Sequence, residues 1–414
     1  MIGGRKVASF SSMRLRFAGA ILLAVAAYYV YLPLPGGVSE PWKLMLLDAL
    51  IRGFMRRSNM SHALGLCHQV HLLNRVVSWV ELIEARSSAG VLVSDGVLGG
   101  VPSRIFQATG GRWPKRGVLY FHGGGWALGT ARMRSYDFLC RKMAEELDAV
   151  VISVDYRLAP EAMFPDQYHD ALTASRAFLS KEVAKRYSLD RKRLCVSGDS
   201  SGGNLAAALG SDVTLTAHFK VQALIYPVLQ ALDFHTPSYQ QNKAVPILYR
   251  PVMARYWLLY LGADPSLQLA LLANNHSALD QPAISPAARS HLDWTVLLPA
   301  ERKKEFRPLV VETGTPGLLG QVPALLDARA VPLLAKRDVL AKTPDAYVLT
   351  CEFDVLRDDG LMYAERLRRA GVRVTSDHYE DGFHGCISFA HLPVMSAVGR
   401  RAVDNYIRWL DHNL

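Results

Sequence analysis

The chain has 414 residues, of which 50% are hydrophobic and 20% charged, an ordinary composition for a globular protein with a large core. Its formal net charge of +10 raises the question of a nucleic-acid partner. The basic residues are spread among acidic ones, and no recognition helix, zinc motif or RNA-binding motif is present, so we expect no such partner. Five cysteines are few and odd in number, so they imply no disulfide framework.

A basic N-terminus precedes an apolar run that predicts a membrane anchor. Residues 1–16 are predicted to be a cytosolic tail and carry four basic residues: Arg5, Lys6, Arg14 and Arg16. Residues 17–32 are apolar and end among tyrosines, which are typical of a membrane interface. A membrane helix needs about 17–25 residues, so this run is at the short limit. We interpret it as an uncleaved signal anchor.

A cleaved signal peptide is the alternative, because residues 24–26 read AVA, a passable cleavage site. The apolar character continues past that site, and the proline- and glycine-rich residues 33–37 make a natural exit linker. We therefore prefer the anchor. The positive charge before it predicts a single-pass type II protein of the endoplasmic reticulum membrane, with the N-terminus in the cytosol and the remainder in the lumen.

Residues 33–105 are predicted to be a linker and N-terminal lid helices that lead into the first strands. Apolar residues recur between residues 40 and 80 with the period of an amphipathic helix. These helices either pack on the rest of the chain or form a lid that also contacts the membrane surface. No metal is expected, because the spacing of the following residues fits no usual zinc pattern: His62, Cys67, His68 and His71.

A glycine-rich loop follows a strand-like run near residue 120. Residues 117–121 read GVLYF, and the next five, beginning at His122, read HGGGW. Glycines leave backbone N–H groups uncovered, so Gly123, Gly124 and Gly125 are candidate donors to the oxyanion of a tetrahedral intermediate. A plain glycine-rich turn is the alternative. It is disfavoured because the strand stands where the motif requires one.

Residues 198–203 read GDSSGG, the G-x-S-x-G pattern of a nucleophile elbow centred on Ser200. The elbow holds its serine on a sharp turn between a strand and a helix, here residues 193–197 and 201–209, and leaves no room for bulky neighbours. The N–H of Ser201, at the helix start, is a further oxyanion donor. The glycine loop and the elbow, in this order, make serine ester hydrolysis the leading hypothesis.

The segment after Pro227, about residues 230–300, is predicted to be the second part of the lid. It is rich in aromatic residues, which either line an acyl or sterol pocket or hold the lid together. A sequon places a candidate glycosylation site at Asn275, in a polar stretch expected to be exposed. A second sequon, at Asn59, lies near the predicted anchor.

The C-terminal third supplies an acid and a histidine in the order that such a serine requires. Asp354 follows the strand-like residues 345–351, and His384 follows the strand-like residues 372–379. Active sites of open α/β sheets gather at carboxyl ends of strands. We therefore expect Asp354 to orient the imidazole of His384, which acts first as base and then as acid.

Asp358 and Asp359 are the rivals to Asp354. They stand about one turn later, at the start of a predicted helix over residues 360–370. An acidic pair in the first turn ordinarily compensates the helix dipole, so Asp354 is the preferred acid.

These segments resemble the hormone-sensitive-lipase branch of the α/β-hydrolases, and within it the arylacetamide deacetylase group. The resemblance runs from about Ala24 to Asp411, and its strings are HGGGWALG, YRLAP, GDSSGGNLAAAL, YPVLQALDF, CEFDVLRDDG and EDGFHGCISF. It implies that Ser200, Asp354 and His384 form a catalytic triad beneath a lid. It also implies lipid ester substrates, including cholesteryl esters and 2-acetyl monoalkylglycerol ethers. The elbow departs from the family in carrying Ser201 in place of alanine.

Residues 106–414 are accordingly predicted to form an α/β-hydrolase catalytic domain, a mostly parallel central sheet flanked by helices, with a helical lid and the N-terminal membrane anchor. The leading hypothesis is a membrane-anchored hydrolase of neutral lipid esters that needs no cofactor. The alternatives are a hydrolase of small esters and amides and a non-catalytic ligand-binding protein of the same fold. Receptors of that last type lack the triad histidine, so His384 counts against it.

Overall fold

Eight strands form one central sheet in the computed structural model, which describes the backbone of residues 4–414 and the side chains of residues 16–414. In chain order they are β1 (Val91–Leu98), β2 (Val101–Ala108), β3 (Lys115–Phe121), β4 (Ala149–Val154), β5 (Leu189–Asp199), β6 (Val221–Ile225), β7 (Asp345–Phe353) and β8 (Val374–Phe383). Their order across the sheet is β1-β2-β4-β3-β5-β6-β7-β8. Strands β3 to β8 run parallel, and β2 is antiparallel to both neighbours, as the predicted mostly parallel sheet requires.

Both faces of the sheet are buried at its centre, which explains why a central strand such as β4 is almost continuously apolar. Along β3, Leu119 and Phe121 belong to the core on one face, and Val118 and Tyr120 belong to the core on the other. This alternation follows from the two-residue period of a strand. Helices therefore have to cover the sheet on both sides.

The described helices flank the sheet and extend beyond the carboxyl ends of its strands. They are α1 (Gly4–Val30), α2 (Pro41–Ala63), α3 (Gln69–Glu81), α4 (Arg134–Leu147), α5 (Asp166–Phe178), α6 (Lys181–Arg186), α7 (Ser201–Gly210), α8 (Pro237–Gln241), α9 (Arg250–Leu261), α10 (Gln268–Leu272), α11 (Pro286–Ser290), α12 (Trp294–Leu297), α13 (Ala300–Lys303), α14 (Leu318–Gln321), α15 (Arg337–Leu340), α16 (Arg357–Arg369) and α17 (Ala397–Asn413). Helices α5, α7 and α16 pack on one face, and α4 and α17 pack on the other.

Two predicted boundaries are wrong. The boundary between residues 105 and 106 cuts through β2, which pairs with both β1 and β4, so the first two strands are part of the same sheet. The insertion is also longer than residues 230–300. It fills the whole interval between β6 and β7 with short helices, because those two strands are neighbours and nothing between them joins the sheet.

The predicted amphipathic lid segment consists of two helices, α2 and α3, that contact each other. Leu44 and Asp48 on one face of α2 are buried, whereas Trp42, Leu46 and Leu50 on another face are exposed. A face of large apolar side chains thus remains uncovered on α2.

Helix α1 covers most of the predicted anchor at residues 17–32 and ends at Val30. None of the helices in the described part of the chain combines the length and the apolar character needed to cross a membrane. The charges that predict a cytosolic tail, Arg5, Lys6 and Arg14, lie outside the residues whose side chains are described.

Candidate active site

Ser200 lies on a sharp turn between β5 and α7, with the strained backbone angles φ 53° and ψ −117°. The turn is tight enough to require glycine on both sides. A Cβ atom on Gly202 would lie 2.0 Å from the carbonyl oxygen of Phe121, and one on Gly198 would lie 2.4 Å from the backbone of Gly202. The elbow therefore presses the start of α7 against the end of β3.

Ser200, His384 and Asp354 form a continuous hydrogen-bonded chain. The Nε2 atom of His384 is 3.0 Å from Oγ of Ser200, and its Nδ1 atom is 2.8 Å from Oδ2 of Asp354. The second carboxylate oxygen of Asp354 accepts a hydrogen bond from the N–H of Leu356 at 2.8 Å. All three triad side chains are buried. In this geometry Asp354 fixes the imidazole ring, and the nitrogen that faces Ser200 is free to accept its proton.

The two rival carboxylates hold the insertion in place and do not contact His384. Asp358 accepts the N–H of Ser238 at 2.6 Å, and Asp359 accepts the N–H of Leu229 at 2.9 Å. Burial raises the pKa of Asp359 to about 8. Compensation of the helix dipole, the role expected for this pair, therefore does not account for their contacts, because both side chains also bind α16 to the segment after β6.

The oxyanion loop, residues 122–129, differs from the sequence expectation at Gly123. Its N–H donates to Oδ1 of Asp199 at 2.9 Å and to the hydroxyl oxygen of Tyr136 at 2.8 Å, so it is not a donor to substrate. Gly124 and Gly125 line the cavity beside Ser200, and within the described part of the chain their N–H groups have no acceptor. Ser201 begins α7, where first-turn N–H groups have no partner inside the helix. The structure thus leaves the N–H groups of Gly124, Gly125 and Ser201 as the candidate donors to an oxyanion.

Asp199 is a buried carboxylate that sequence reasoning overlooked, although it stands inside the elbow motif. It accepts hydrogen bonds from Gly123 and from the hydroxyls of Tyr120 at 2.9 Å and Tyr136 at 3.3 Å. Burial raises the pKa of Asp199 to about 6. Its position joins the elbow to the first residue of the glycine run, so one carboxylate fixes the spacing of nucleophile and oxyanion loop.

His122 supports the oxyanion loop from the protein interior. Its ring is fully buried, donates from Nδ1 to the carbonyl oxygen of Gly123 at 2.8 Å, and stacks on Tyr156 with ring centres 4.5 Å apart. Burial lowers the pKa of His122. The Tyr156 hydroxyl donates to the carbonyl oxygen of His122 at 2.7 Å. His122 is therefore a structural member of the motif and does not line the cavity.

An apolar cavity of about 300 Å³ opens above the triad. Its floor contains Ser200 and His384, and its walls come from both predicted lid parts. Helices α2 and α3 contribute Ile51, Phe54, Met55, Leu73, Val76 and Val77, and the insertion contributes Ile247, Leu248, Val252, Met253 and Tyr256. The aromatic residue Tyr256 thus lines the pocket, whereas Trp257 and Tyr260 are buried against Trp126 and hold the lid together.

The sequon at Asn275 differs in exposure from the sequence expectation. Asn275 is half-buried in a helical turn, and its carbonyl oxygen accepts the N–H of Thr315 at 3.2 Å. Asn59, near the end of α2, is exposed. Asn275 is half-buried because residues 314 and 315 pack against it. These two residues belong to the insertion but lie beyond residue 300, the predicted end of the lid.

The chain is similar to known hydrolases over most of its length. A family profile described as alpha/beta hydrolase fold matches residues 118–300 and 310–388. Neutral cholesterol ester hydrolase 1 of Mus musculus is 52% identical over 405 residues, which cover 95% of this chain and 98% of that protein. Arylacetamide deacetylase of Bos taurus is 40% identical over 410 residues, which cover 97% of this chain and 100% of that protein.

Solved structures extend the comparison for the fold alone. A thermostable esterase from Pseudomonas putida superposes with a TM-score of 0.64 at 24% identity, over 92% of this chain and 99% of that chain. A thermophilic carboxylesterase from a metagenomic library superposes with a TM-score of 0.57 at 24% identity, over 84% of this chain and 95% of that chain. The resemblance predicted from the motifs is confirmed.

Proposed function

The chain belongs to the α/β-hydrolase family and is a carboxylic ester hydrolase, and from this premise we propose that it cleaves neutral lipid esters through an acyl-enzyme on Ser200. The observation that carries the proposal is the hydrogen-bonded chain from Ser200 through His384 to Asp354 at the floor of an apolar cavity. A ligand-binding protein without catalysis has no need of this arrangement.

The reaction follows from the positions of these groups. Oγ of Ser200 attacks the ester carbonyl carbon while His384 takes its proton, and Asp354 stabilises the charged imidazole. The N–H groups of Gly124, Gly125 and Ser201 stabilise the oxyanion. The carbon–oxygen bond to the alcohol then breaks, and His384 returns the proton to the leaving alcohol. Water, activated by the same histidine, releases the acid from Ser200.

The cavity determines which part of the substrate is enclosed. A volume of about 300 Å³ is at the lower end of the range for ligand pockets, about 300–1,000 Å³. We assign this space to the acyl chain, because its walls are aliphatic and aromatic side chains. The alcohol, such as a sterol or an alkylglycerol, then lies at the mouth between the two lid parts. Cholesteryl esters and 2-acetyl monoalkylglycerol ethers are the proposed substrates, and the name of the mouse relative supports the first.

Small esters and amides are a second candidate substrate class. The observation that favours them is the modest cavity, together with the 40% identity to an arylacetamide deacetylase. A turnover screen decides between the two classes. The full chain is assayed with esters from acetate to oleate and with an arylacetamide, with and without phospholipid vesicles, and Ser200→Ala is the control for background hydrolysis.

The expected result is higher kcat/KM for long-chain lipid esters, increased further by vesicles. Preference for small water-soluble acetate esters and the amide over lipid esters, independent of vesicles, would transfer the assignment to the small-ester class. If no ester is cleaved faster by the wild type than by Ser200→Ala, the proposed function is wrong.

We also propose that the protein works at a membrane, with its catalytic domain in the lumen of the endoplasmic reticulum. The support is the uncovered apolar face of α2, formed by Trp42, Leu46 and Leu50, next to the exposed basic residues Arg56 and Arg57. Apolar side chains on an exposed helix face beside positive charge favour attachment to a bilayer surface. The luminal orientation is proposed from the basic residues before the predicted anchor.

Glycosidase digestion of eukaryotic membranes tests this orientation. We expect a glycan whose loss follows Asn275→Gln or, since Asn59 is the more exposed sequon, Asn59→Gln. If neither site is modified, and protease added outside intact vesicles degrades the catalytic domain, the orientation is reversed.

A further inference from the structure

Asn74 on the lid helix α3 bonds to the backbone of the oxyanion loop, although it lies outside every sequence motif. Its Nδ2 atom donates to the carbonyl oxygen of Ala127 at 2.7 Å, and its Oδ1 atom accepts the N–H of Gly129 at 3.1 Å. One amide group therefore uses both its donor and its acceptor on the same turn of the loop.

That turn is in direct contact with an oxyanion donor. The N–H groups of Ala127 and Leu128 donate to the carbonyl oxygen of Gly124 at 3.2 and 2.9 Å. A Cβ atom on Gly124 would lie only 2.0 Å from the carbonyl oxygen of Leu128. A shift of the turn held by Asn74 consequently displaces Gly124.

The side-chain hydrogen bonds that hold the two ends of the loop come from the catalytic core. Asp199 holds Gly123 at the start of the loop, and Asp155 holds the N–H of Ala131 just after its end at 3.1 Å. Among the described residues, Asn74 is the lid side chain that hydrogen-bonds to the loop between those two points. Asn74 thus supplies the hydrogen bonds between lid and loop, beside the apolar packing of Val70 with Ala127 and of Trp257 with Trp126.

The same helix contacts the space assigned to the acyl chain. Leu73, Val76 and Val77 of α3 line the cavity, and Leu73 is the neighbour of Asn74 in sequence. An acyl chain that fills the cavity packs against these side chains and holds α3 in its seated position. A short acyl group leaves them without contact.

We propose that Asn74 is a positioning residue that couples the seating of α3 on the acyl chain to the geometry of the oxyanion hole, an inference that rests on the proposed function. Its consequence is that acyl-chain length raises kcat as well as lowering KM. Binding energy from the part of the acyl chain that lies far from the ester carbonyl then stabilises the transition state.

The test uses the full chain and p-nitrophenyl esters from acetate to laurate. Asn74→Ala removes both hydrogen bonds. Asn74→Asp is nearly the same size, keeps the acceptor for Gly129 and loses the donor to Ala127, so it serves if the alanine variant fails to fold. We expect either variant to lower kcat on laurate by about tenfold or more, because donors displaced by a fraction of an ångström lose much of their effect. KM should change by less than about twofold.

Two further readouts separate positioning from a general loss of structure. The rise of kcat along the ester series should be lost in the Asn74 variants. A trifluoromethyl ketone, which forms an oxyanion on Ser200, should bind more weakly by the same factor as kcat falls.

Gln69→Ala is the matched control, because Gln69 on the same helix accepts a hydrogen bond from Arg255 of α9 at 3.1 Å and, among the described residues, makes no hydrogen bond to the loop. It should lower the melting temperature while keeping the dependence of kcat on chain length. An unchanged kcat in both Asn74 variants, or an equal loss in Gln69→Ala, overturns the inference while the proposed function stands. Absence of wild-type ester turnover would defeat both.

Discussion

Replacement of Gly202 by alanine measures how closely the elbow must approach the oxyanion loop. Gly202 occupies the first turn of α7, where alanine ordinarily stabilises a helix by about 1 kcal/mol relative to glycine. The added Cβ, however, would lie 2.0 Å from the carbonyl oxygen of Phe121 and 2.5 Å from that of His122. Both contacts are with backbone atoms, which cannot rotate away.

The distances set the size of the effect. Because Cβ contacts under 3.0 Å essentially do not occur, α7 and the end of β3 must separate by at least about 1 Å. Ser200 moves with α7, whereas Gly124 and Gly125 move with β3. A misplacement of about 1 Å costs about 10²-fold in rate, and overpacking a core costs about 1–3 kcal/mol of stability. The steric term therefore exceeds the gain in helix propensity.

Gly203→Ala is the control, since its Cβ would lie 3.0 Å from the side chain of Pro227 and needs only a small adjustment. The assay is kcat on a soluble p-nitrophenyl ester, together with the melting temperature of each variant. We expect Gly202→Ala to lose at least about 10²-fold in kcat and Gly203→Ala to stay within about threefold of the wild type. If Gly202→Ala turns over substrate as fast as Gly203→Ala, the elbow and the oxyanion loop tolerate separation, and a close approach of α7 to β3 is not required for catalysis.

Three other outcomes are expected. Ser200→Ala should keep the melting temperature and lose both turnover and fluorophosphonate labelling, and labelling that persists would point to Ser201. Asp354→Asn should lower turnover by about 10⁴-fold, whereas Asp358→Asn should mainly lower stability; equal losses of turnover would leave the acid unassigned. Burial raises the pKa of Asp199 from 3.8 to about 6, so the folded state binds the carboxyl proton more tightly than the unfolded state does. The stabilisation that this proton contributes is complete below pH 3.8 and is lost as the pH rises through 6. Relative to Asp199→Asn, the wild-type free energy of unfolding should fall by about 2–3 kcal/mol across that window in denaturant titrations, and a constant difference would contradict the buried-proton reading.

The strands and the triad were predictable because each is encoded by neighbouring residues. The run at residues 117–121 lies within β3, and the elbow, the acid and the histidine all fall at strand ends where the pattern places them. Short motifs carry this information because the sharp turn that holds Ser200 requires small residues at fixed positions beside it, even though the atoms that exclude a side chain at Gly202 belong to the remote Phe121 and His122.

The supports of the oxyanion loop were not predictable for the opposite reason. Gly123 meets Asp199, 76 positions away, and Ala127 meets Asn74, 53 positions away. No periodicity or spacing encodes such contacts, so Gly123 was misassigned as a donor. The extent of the insertion was missed likewise, because helices such as α12 (Trp294–Leu297) are too short to show a repeating apolar pattern.

The cavity is roofed by two stretches that are remote in the chain, one before the first strand and one between β6 and β7. A shortened protein that begins at Val91 would retain every triad residue and yet have one wall of its substrate channel open to water. Removal of the N-terminal segment to gain solubility therefore has a limit near Pro41, where α2 begins. Truncated proteins that begin after Pro41 should discriminate less between short and long acyl chains. Their kinetic constants would then describe an enzyme with an open cavity and not the full-length protein.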